Sequence, residues 1–307
     1  MIKLSIIIVN WNTMSLLQCC LRSLKPEIDN GESEIIVVDN ASSDGAIDMV
    51  RTEFPTVTLI ANSKNLSFAT GTNQGLSEAS GKFVMLLNPD TELTEGTTER
   101  LMKFLDTHSN AAAAAPKLIY PDGLPQQSCR TFPTPSVLFI EALGLERLFP
   151  KSKLFGRYRM GWFNYDETHE VDQPMASCLM IRRTALDQIG HMDEEFPLFF
   201  NDVDLCLRLK GAGWKVFFTP AAVVVHHHGA STRQLGKELI RESHRSLLLF
   251  YRKHYRNRLN ILIYAMSCTL IQLGGIMRTI ALRGRGENNG PRLATEDPGV
   301  PDLQRRD

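Results

Sequence analysis

The chain has no surplus of charge. Its 34 basic and 34 acidic residues cancel over 307 positions, which excludes a general nucleic-acid binder held by its overall field. It has no Cys-x-x-Cys pair: Cys19, Cys20, Cys129, Cys178, Cys206 and Cys268 are scattered. Buried free thiols in a reducing compartment are therefore expected. It has no Walker loop, because Gly71 and Gly75 are not followed by Gly-Lys-Ser/Thr. Near the N-terminus it has no apolar run of signal-peptide length, since Leu4 to Val9 is too short and reads as a strand. What it does have is enough apolar material, 43% of residues, to bury a full core in one large or two smaller domains.

The chain is organised around Lys82-Phe-Val-Met-Leu-Leu-Asn-Pro-Asp-Thr91. The unbroken apolar run Phe83 to Leu87 predicts a strand buried on both faces. Asn88-Pro89 stops it, because proline has no N–H for the ladder and restricts the residue before it. Asp90 is thereby delivered at the carboxyl end of a central strand, the edge where open α/β sheets bind ligands. A carboxylate there can hold a hard cation if substrate phosphates supply further oxygens. The competing reading is a turn aspartate capping the next helix near Thr94.

Taken in order, Leu4 to Val9 predicts a first strand ending in Asn10-Trp11-Asn12, followed by a helix with Leu17, Cys20, Leu21 and Leu24 on one face. Glu34 to Val38 predicts a second strand closing on Asp39, placed to bond a ribose hydroxyl or a base or else to cap the following helix. Val57 to Ile60 predicts a third. The amide-rich loop Asn62 to Gly75 includes Lys64 and Asn65, and brings backbone N–H groups or Lys64 toward a phosphate. Alternation of strand and helix over residues 1–110 predicts a mostly parallel sheet with helices on both faces. Asn12, Asp39 and Asp90 lie at three strand ends, which fits a nucleotide with a metal-bound diphosphate.

The pattern changes after residue 111. Ala111 to Ala115 predicts a thin strand, Pro121-Asp122-Gly123 a turn between hairpin arms, and Val137 to Leu148 a helix inside an irregular aromatic stretch. Cys178 to Ile181 predicts another strand. Helical periodicity starts near Asp202 in Asn201-Asp-Val-Asp-Leu-Cys-Leu-Arg208, so Asp202 and Asp204 lie in a first turn, where the helix terminus stabilises carboxylates. Beyond that, Asp202 can serve as a general base toward an acceptor hydroxyl. Trp214 to Phe218 is a further strand, and Val223 to Val225 leads into His226-His227-His228. Adjacent histidines point different ways and do not make a three-ligand site; one of them can join the metal at Asp90, or all are partly solvated loop residues. Residues 233–258 alternate Arg and Lys with Leu and Phe and predict a basic amphipathic helix. Leu259 to Met277 is apolar enough to span a bilayer or lie in an anionic surface; the alternative is a soluble packing helix. From Gly286 the composition predicts a disordered tail.

Four segments in register, Ser5–Asn12, Val37–Gly45, Leu87–Asp90 and Asn201–Arg208, together resemble the family 2 glycosyltransferases of the GT-A fold, most of all the rhamnosyltransferase-type members, over roughly residues 3 to 235. The resemblance implies one GT-A domain, with a nucleotide-sugar half at 1–110 and an acceptor and catalytic half at 111–232. Membrane-associated helices at 233–283 and a tail at 284–307 follow it. It implies an inverting transfer from a nucleotide-sugar to a glycan or lipid-linked hydroxyl, at the cytoplasmic face of a membrane, with Mg²⁺ or Mn²⁺. By position, Asn12, Asp39, Lys64, Asn65 and Asn88 would bind the donor. Asp90 and His226 would hold the metal, with His227 the alternative if the loop is offset by one. Asp202 would be the base, and Asn201, Asp204 and Arg208 would lie on the acceptor side. Three positions depart from the family pattern: Asn201 replaces an acid, Ser67 replaces a glycine, and Ala176-Ser177 replaces Gly-Ala. Because an amide cannot accept a proton at neutral pH, Asn201 keeps a non-catalytic nucleotide-sugar binder open. A sugar nucleotidyltransferase would need a glycine-rich N-terminal loop that is not there. The sequence sets no oligomeric state.

Overall fold

A computed structural model describes residues 2–227 and 237–284. The chain runs β1 (Leu4–Asn10), α1 (Met14–Ser23), α2 (Lys25–Asp29), β2 (Ser33–Asp39), α3 (Ala46–Glu53), β3 (Thr58–Ala61), α4 (Phe68–Glu78), β4 (Phe83–Leu87), β5 (Thr91–Leu93) and α5 (Thr97–Thr107). It continues with β6 (Ala111–Ile119), β7 (Cys129–Arg130), α6 (Pro135–Ala142), α7 (Leu145–Leu148), β8 (His169–Glu170), β9 (Gln173–Pro174), β10 (Cys178–Arg182) and α8 (Arg183–Ile189). Then come α9 (Asn201–Gly211), β11 (Lys215–His226), α10 (Lys237–His254) and α11 (Ile261–Gly284). His228, the Gly229-Ala230-Ser231 segment, the start of the expected basic helix and the tail from residue 285 lie outside the described residues.

Two compact units form: Met1–Phe132 with Asn164–Ser231, and Pro133–Phe163 with the segment from Thr232. Pro133–Phe163, read from sequence as part of the 111–232 half, thus clusters with the C-terminal helices.

The first unit is built on a nine-stranded sheet ordered β3-β2-β1-β4-β10-β6-β11-β5, with β8 also on β11. β3, β2, β1 and β4 are mutually parallel. β10 opposes both β4 and β6, so β6 and its parallel neighbour β11 share the direction of β1. The carboxyl ends of β1, β2, β4 and β11 therefore lie at one edge. Only Asn88-Pro89-Asp90 separates β4 from β5, a reach of about 14 Å at about 3.5 Å per residue. In sheet order the two strands stand four steps apart, about 19 Å at about 4.8 Å per step in a flat sheet. The sheet must curl, and its curl brings the end of β4 to the β11–β5 margin.

The predicted strands are present, with two differences. Ala111–Ile119 is a nine-residue strand, not a thin one, and its five alanines are all buried. The two short runs Trp214–Phe218 and Val223–Val225 are one strand, β11, which a register shift between Thr219 and Val223 keeps aligned with β6. The aliphatic faces of β1, β2, β4 and β10 pack against α1, α3 and α5 in the main core. On the opposite face α4 lies very close to β1: a Cβ at Gly75 would sit 2.5 Å from Ile7 Cγ2. Ile7 is branched at the backbone and cannot swing away. Gly75→Val is expected to lower unfolding stability by about 1–3 kcal/mol through overpacking, read as a lower urea midpoint at unchanged slope.

Candidate active site at the carboxyl edge of the sheet

Asn10 closes β1 with its side chain fully buried. Its Nδ2 donates to Asp39 Oδ2 at 2.8 Å and to Ser42 Oγ at 3.1 Å, while Thr13 Oγ1 donates to its Oδ1 at 2.6 Å. Asp39 is buried at the end of β2, and its other oxygen accepts the Ser42 amide at 2.7 Å. Asp39 does not cap α3: the residue before that helix is Gly45, and the first helical amide, Ala46, donates to Asp44 Oδ1 at 3.2 Å. Asn12 Oδ1 accepts the Ser43 amide at 2.8 Å, and the Asn12 amide donates to Ser42 Oγ at 2.9 Å. The loops after β1 and β2 are thus stitched into one wall.

The loop before α4 behaves differently from its sequence reading. The first helical amides, Phe68 and Ala69, both donate to the Pro197 carbonyl, at 3.0 and 3.2 Å. They are spent on the chain leading to α9 and do not face a phosphate. Asn65 Oδ1 accepts the Ser67 amide at 2.9 Å, Asn40 Nδ2 donates to the Ser67 carbonyl at 2.9 Å, and Lys64 is exposed. Asn88 is tied across the sheet, its amide to the Ser177 carbonyl at 2.9 Å and its Nδ2 to Ser177 Oγ at 3.3 Å.

Asp90 and His226 come together. Both are buried, and His226 Nε2 lies 3.4 Å from Asp90 Oδ1. The pairing of His226 with Thr91 across β11 and β5 sets this position. His227 points elsewhere, with its Nε2 2.6 Å from Glu92 Oε1. Gln126, which the sequence did not single out, fixes the imidazole. Its Nε2 donates to the His226 carbonyl at 2.7 Å, so its Oε1, 2.9 Å from His226 Nδ1, must accept from that nitrogen. The proton on this side belongs on Nδ1, and Nε2 is the ring nitrogen turned toward the Asp90 carboxylate. A carboxylate oxygen and a ring nitrogen side by side in a buried setting are ligand types a divalent cation uses, and a hydrogen-bonded second nitrogen is the usual support of a metal-binding imidazole. Among the described residues there is no cluster of three or more acidic, His or Cys side chains that could hold a metal.

Asp202 lies in the first turn of α9 and is half-buried. Burial pushes its carboxyl above the ordinary range, against the lowering effect of backbone amides from Val203, Ala176 and its own residue. The Val203 amide reaches Oδ1 at 2.8 Å. Asn201 is buried and its Nδ2 donates to the carbonyls of Leu198, at 3.0 Å, and Phe196, at 3.4 Å. A carboxylate could not make those bonds, which gives the amide a local reason at a position where an acid was expected. Asp204 is fully buried against Arg208, whose Nε donates to Oδ2 at 2.7 Å. The rest of that guanidinium holds the carbonyls of Ile189, Gly190 and His191. The pair staples α9 to the end of α8.

Among the described residues, five non-glycines have positive φ, and four of them, Asn12 (51°), Ala41 (62°), Ser67 (78°) and Phe200 (67°), lie in these loops. Strained backbone persists where the surroundings over-determine it, and it clusters at functional sites. The cysteines match their expected role only in part. Cys20, Cys129, Cys178 and Cys206 are buried, and burial pushes the first two thiols up to about 12, but Cys19 is exposed.

The chain superposes on solved structures of known fold. The mannosyltransferase of Pyrobaculum calidifontis, determined with GDP-Man and Mn²⁺, superposes with a TM-score of 0.56 at 17% identity, over 94% of this chain and 76% of its own. GalNAc-T7 with UDP, GalNAc and Mn²⁺ gives 0.54 at 14% identity, over 73% of this chain and 44% of its own. These define the GT-A fold. The model of the family "Glycosyl transferase family 2" matches residues 5–190, and the chain belongs to that family. In sequence it is similar to the N-acetylglucosaminyl-diphospho-decaprenol L-rhamnosyltransferase of Mycobacterium tuberculosis, 29% identical over 70% of this chain and 73% of the relative. It is also similar to a low-salt glycan biosynthesis hexosyltransferase of Haloferax volcanii, 26% identical over 67% and 61%. The protein is a glycosyltransferase.

The raised Asp202 pKa has a sign that can be checked. A carboxyl whose folded pKa exceeds its unfolded value costs the native state stability wherever it is ionised, and the cost is relieved as pH falls through the folded value. Asp202→Asn mimics the protonated form. It is expected to raise unfolding stability at about pH 7 and to have little effect at about pH 4, measured by urea denaturation at both.

Proposed function

We propose that this protein is an inverting, divalent-metal-dependent glycosyltransferase. It moves a sugar, rhamnose being the first candidate, from a nucleotide-sugar to a hydroxyl of a lipid-linked glycan in surface polysaccharide synthesis. The observation that carries the reading is the buried Asp90–His226 pair, with Nε2 turned to the carboxylate by Gln126. Rhamnose and the lipid-linked acceptor rest on the mycobacterial relative's name.

Asn12 and Asp39 form the wall for the base and ribose of the donor, and Lys64 is the exposed cation beside it. Asp90 and His226 would hold Mg²⁺ or Mn²⁺, which supplies charge neutralisation for the departing diphosphate. Asp202 takes the proton from the acceptor hydroxyl. The acceptor oxygen forms its bond to the anomeric carbon from the face opposite the diphosphate, as the bond to the diphosphate oxygen breaks and the nucleoside diphosphate leaves. Desolvation of Asp202 raises its basicity toward this task. Asn201, Asp204 and Arg208 set the position of α9 and so of the base.

The C-terminal helices support a place at the inner face of the cell membrane. By length and composition Ile261–Ile280 could cross a bilayer. Arg252, Lys253, Arg256 and Arg258 precede it, all exposed, and suit anionic headgroups.

The deciding assay is nucleoside-diphosphate release from a panel of nucleotide-sugars with Mg²⁺ or Mn²⁺, with and without chelator, in the presence of membrane lipid extract. Extract-stimulated, metal-dependent release from one donor is expected; donor binding without release would favour a non-catalytic binder. Asp202→Asn is expected to lower kcat by about 10²–10⁴-fold with donor affinity kept, and unchanged turnover would remove it as the base. Gln126→Leu is expected to weaken Mn²⁺ binding by about 10–100-fold, read by calorimetry in the presence of nucleoside diphosphate. An unchanged affinity would show that the imidazole needs no such support.

A further inference from the structure

The second unit, Pro133–Phe163 with the C-terminal helices, departs from ordinary soluble packing. Among the described residues, Leu124 is the only large apolar side chain exposed in the first unit; all others lie in the second. α11 buries Ser267 and Ile271, yet exposes Leu262, Met266, Leu273, Ile276 and Ile280 on its other side. A helix apolar all round belongs in a protein interior or in lipid.

The sequence reading confined membrane contact to residues 233–283. The structure adds a second candidate. α7 and the turn after it expose Leu148, at 69%, Phe149, at 52%, and Leu154, at 59%, and Trp162 lies nearby with Lys153 Nζ 5.4 Å from its ring centre. The same stretch is basic. From Ala142 to Tyr165 the bases are Arg147, Lys151, Lys153, Arg157 and Arg159, and the only acid is Glu146. Glu146 is buried and paired with Arg159 at 3.0 Å, so no carboxylate there offsets the exposed Arg147, Lys151 and Lys153. The turn is fixed in shape: Phe149 donates to the Leu145 carbonyl, and the amides of Leu154 and Phe155 both reach Ser152 Oγ at 3.2 Å.

We propose that the turn Arg147–Leu154 is a second membrane-contact element, which inserts Leu148, Phe149 and Leu154 into the headgroup boundary of an anionic bilayer while Arg147, Lys151 and Lys153 meet lipid phosphates. This rests on the membrane reading of α11 and extends it to a segment 100 residues earlier in the chain. Basic side chains flanking apolar ones are the composition of interfacial segments. A second copy of the chain fits less well, because a two-fold contact through this turn would set its uncompensated positive charges against themselves.

The test uses the full chain carrying a photoreactive benzophenone side chain in place of Phe149, Leu124 or Ile276. Each protein is irradiated with vesicles of phosphatidylcholine, with or without phosphatidylglycerol. Lipid adducts are expected at 149 and 276 and not at 124. On anionic vesicles, Lys151→Glu with Lys153→Glu is expected to cut the yield at 149 by at least about fivefold per charge. Adducts at 276 without any at 149 would overturn the proposal and leave the α11 reading standing. Lipid adducts at neither position would sink both. Protein–protein adducts at 149 would assign the turn to a second copy instead.

Discussion

The arrangement depends on one buried amide. Asn10 stands at the end of the central parallel strand and joins the two strand ends that would otherwise carry an isolated carboxylate and a loose loop. A buried Asp39 needs donors, and it takes them from Asn10 and from the Ser42 amide. Once those bonds exist, the loops after β1 and β2 have one conformation, with Asn12 and Ala41 held at positive φ. The wall proposed for the nucleotide is hydrogen-bonded together without any ligand, and a pre-formed wall reduces the ordering cost of binding.

The same economy joins the two chemical stretches. Pro197 has no N–H, but its carbonyl accepts both leading amides of α4, so the segment that delivers Asp202 is anchored to the loop carrying Lys64. Asn201 then holds the carbonyls of Phe196 and Leu198, and Arg208 holds those at the end of α8. Asp202 is the residue in this group whose carboxyl is pushed above its ordinary range. The neighbours are structural so that the one acid can be placed.

Strand identity and the shared edge were legible in the sequence because unbroken apolar runs and the Asn-Pro stop are local signals. Asp90 and Asp39 could be placed for that reason, and Asp202 by the helical periodicity that starts beside it. The choice of His226 over His227 followed from the family pattern, and the register of β11 against β5 gives it a physical cause. Asn10 and Gln126 were missed because each acts through partners 29 and 100 residues away, and nothing near either one marks it. The partner of the Phe68 and Ala69 amides was not legible, because free amides at a helix start look the same in sequence whether a phosphate or a distant carbonyl takes them. Length alone could not show that Pro133–Phe163 belongs with α10 and α11, since that association is made by tertiary packing.

That discontinuity matters during synthesis. Val137 and Leu138 of α6 are buried, and the Tyr251 hydroxyl of α10 donates to the Pro133 carbonyl at 2.7 Å. The Pro133 carbonyl does not have this partner until the ribosome has translated a further 118 residues, a wait of about 6–24 s at ordinary elongation rates. Through that interval the catalytic strands can pair, while Pro133–Phe163 hangs from them as an unfinished basic, aromatic loop. A nascent chain in that state presents the turn proposed to meet lipid before its longest apolar helix exists, so under that proposal the order of contact with a membrane would be set by the order of translation.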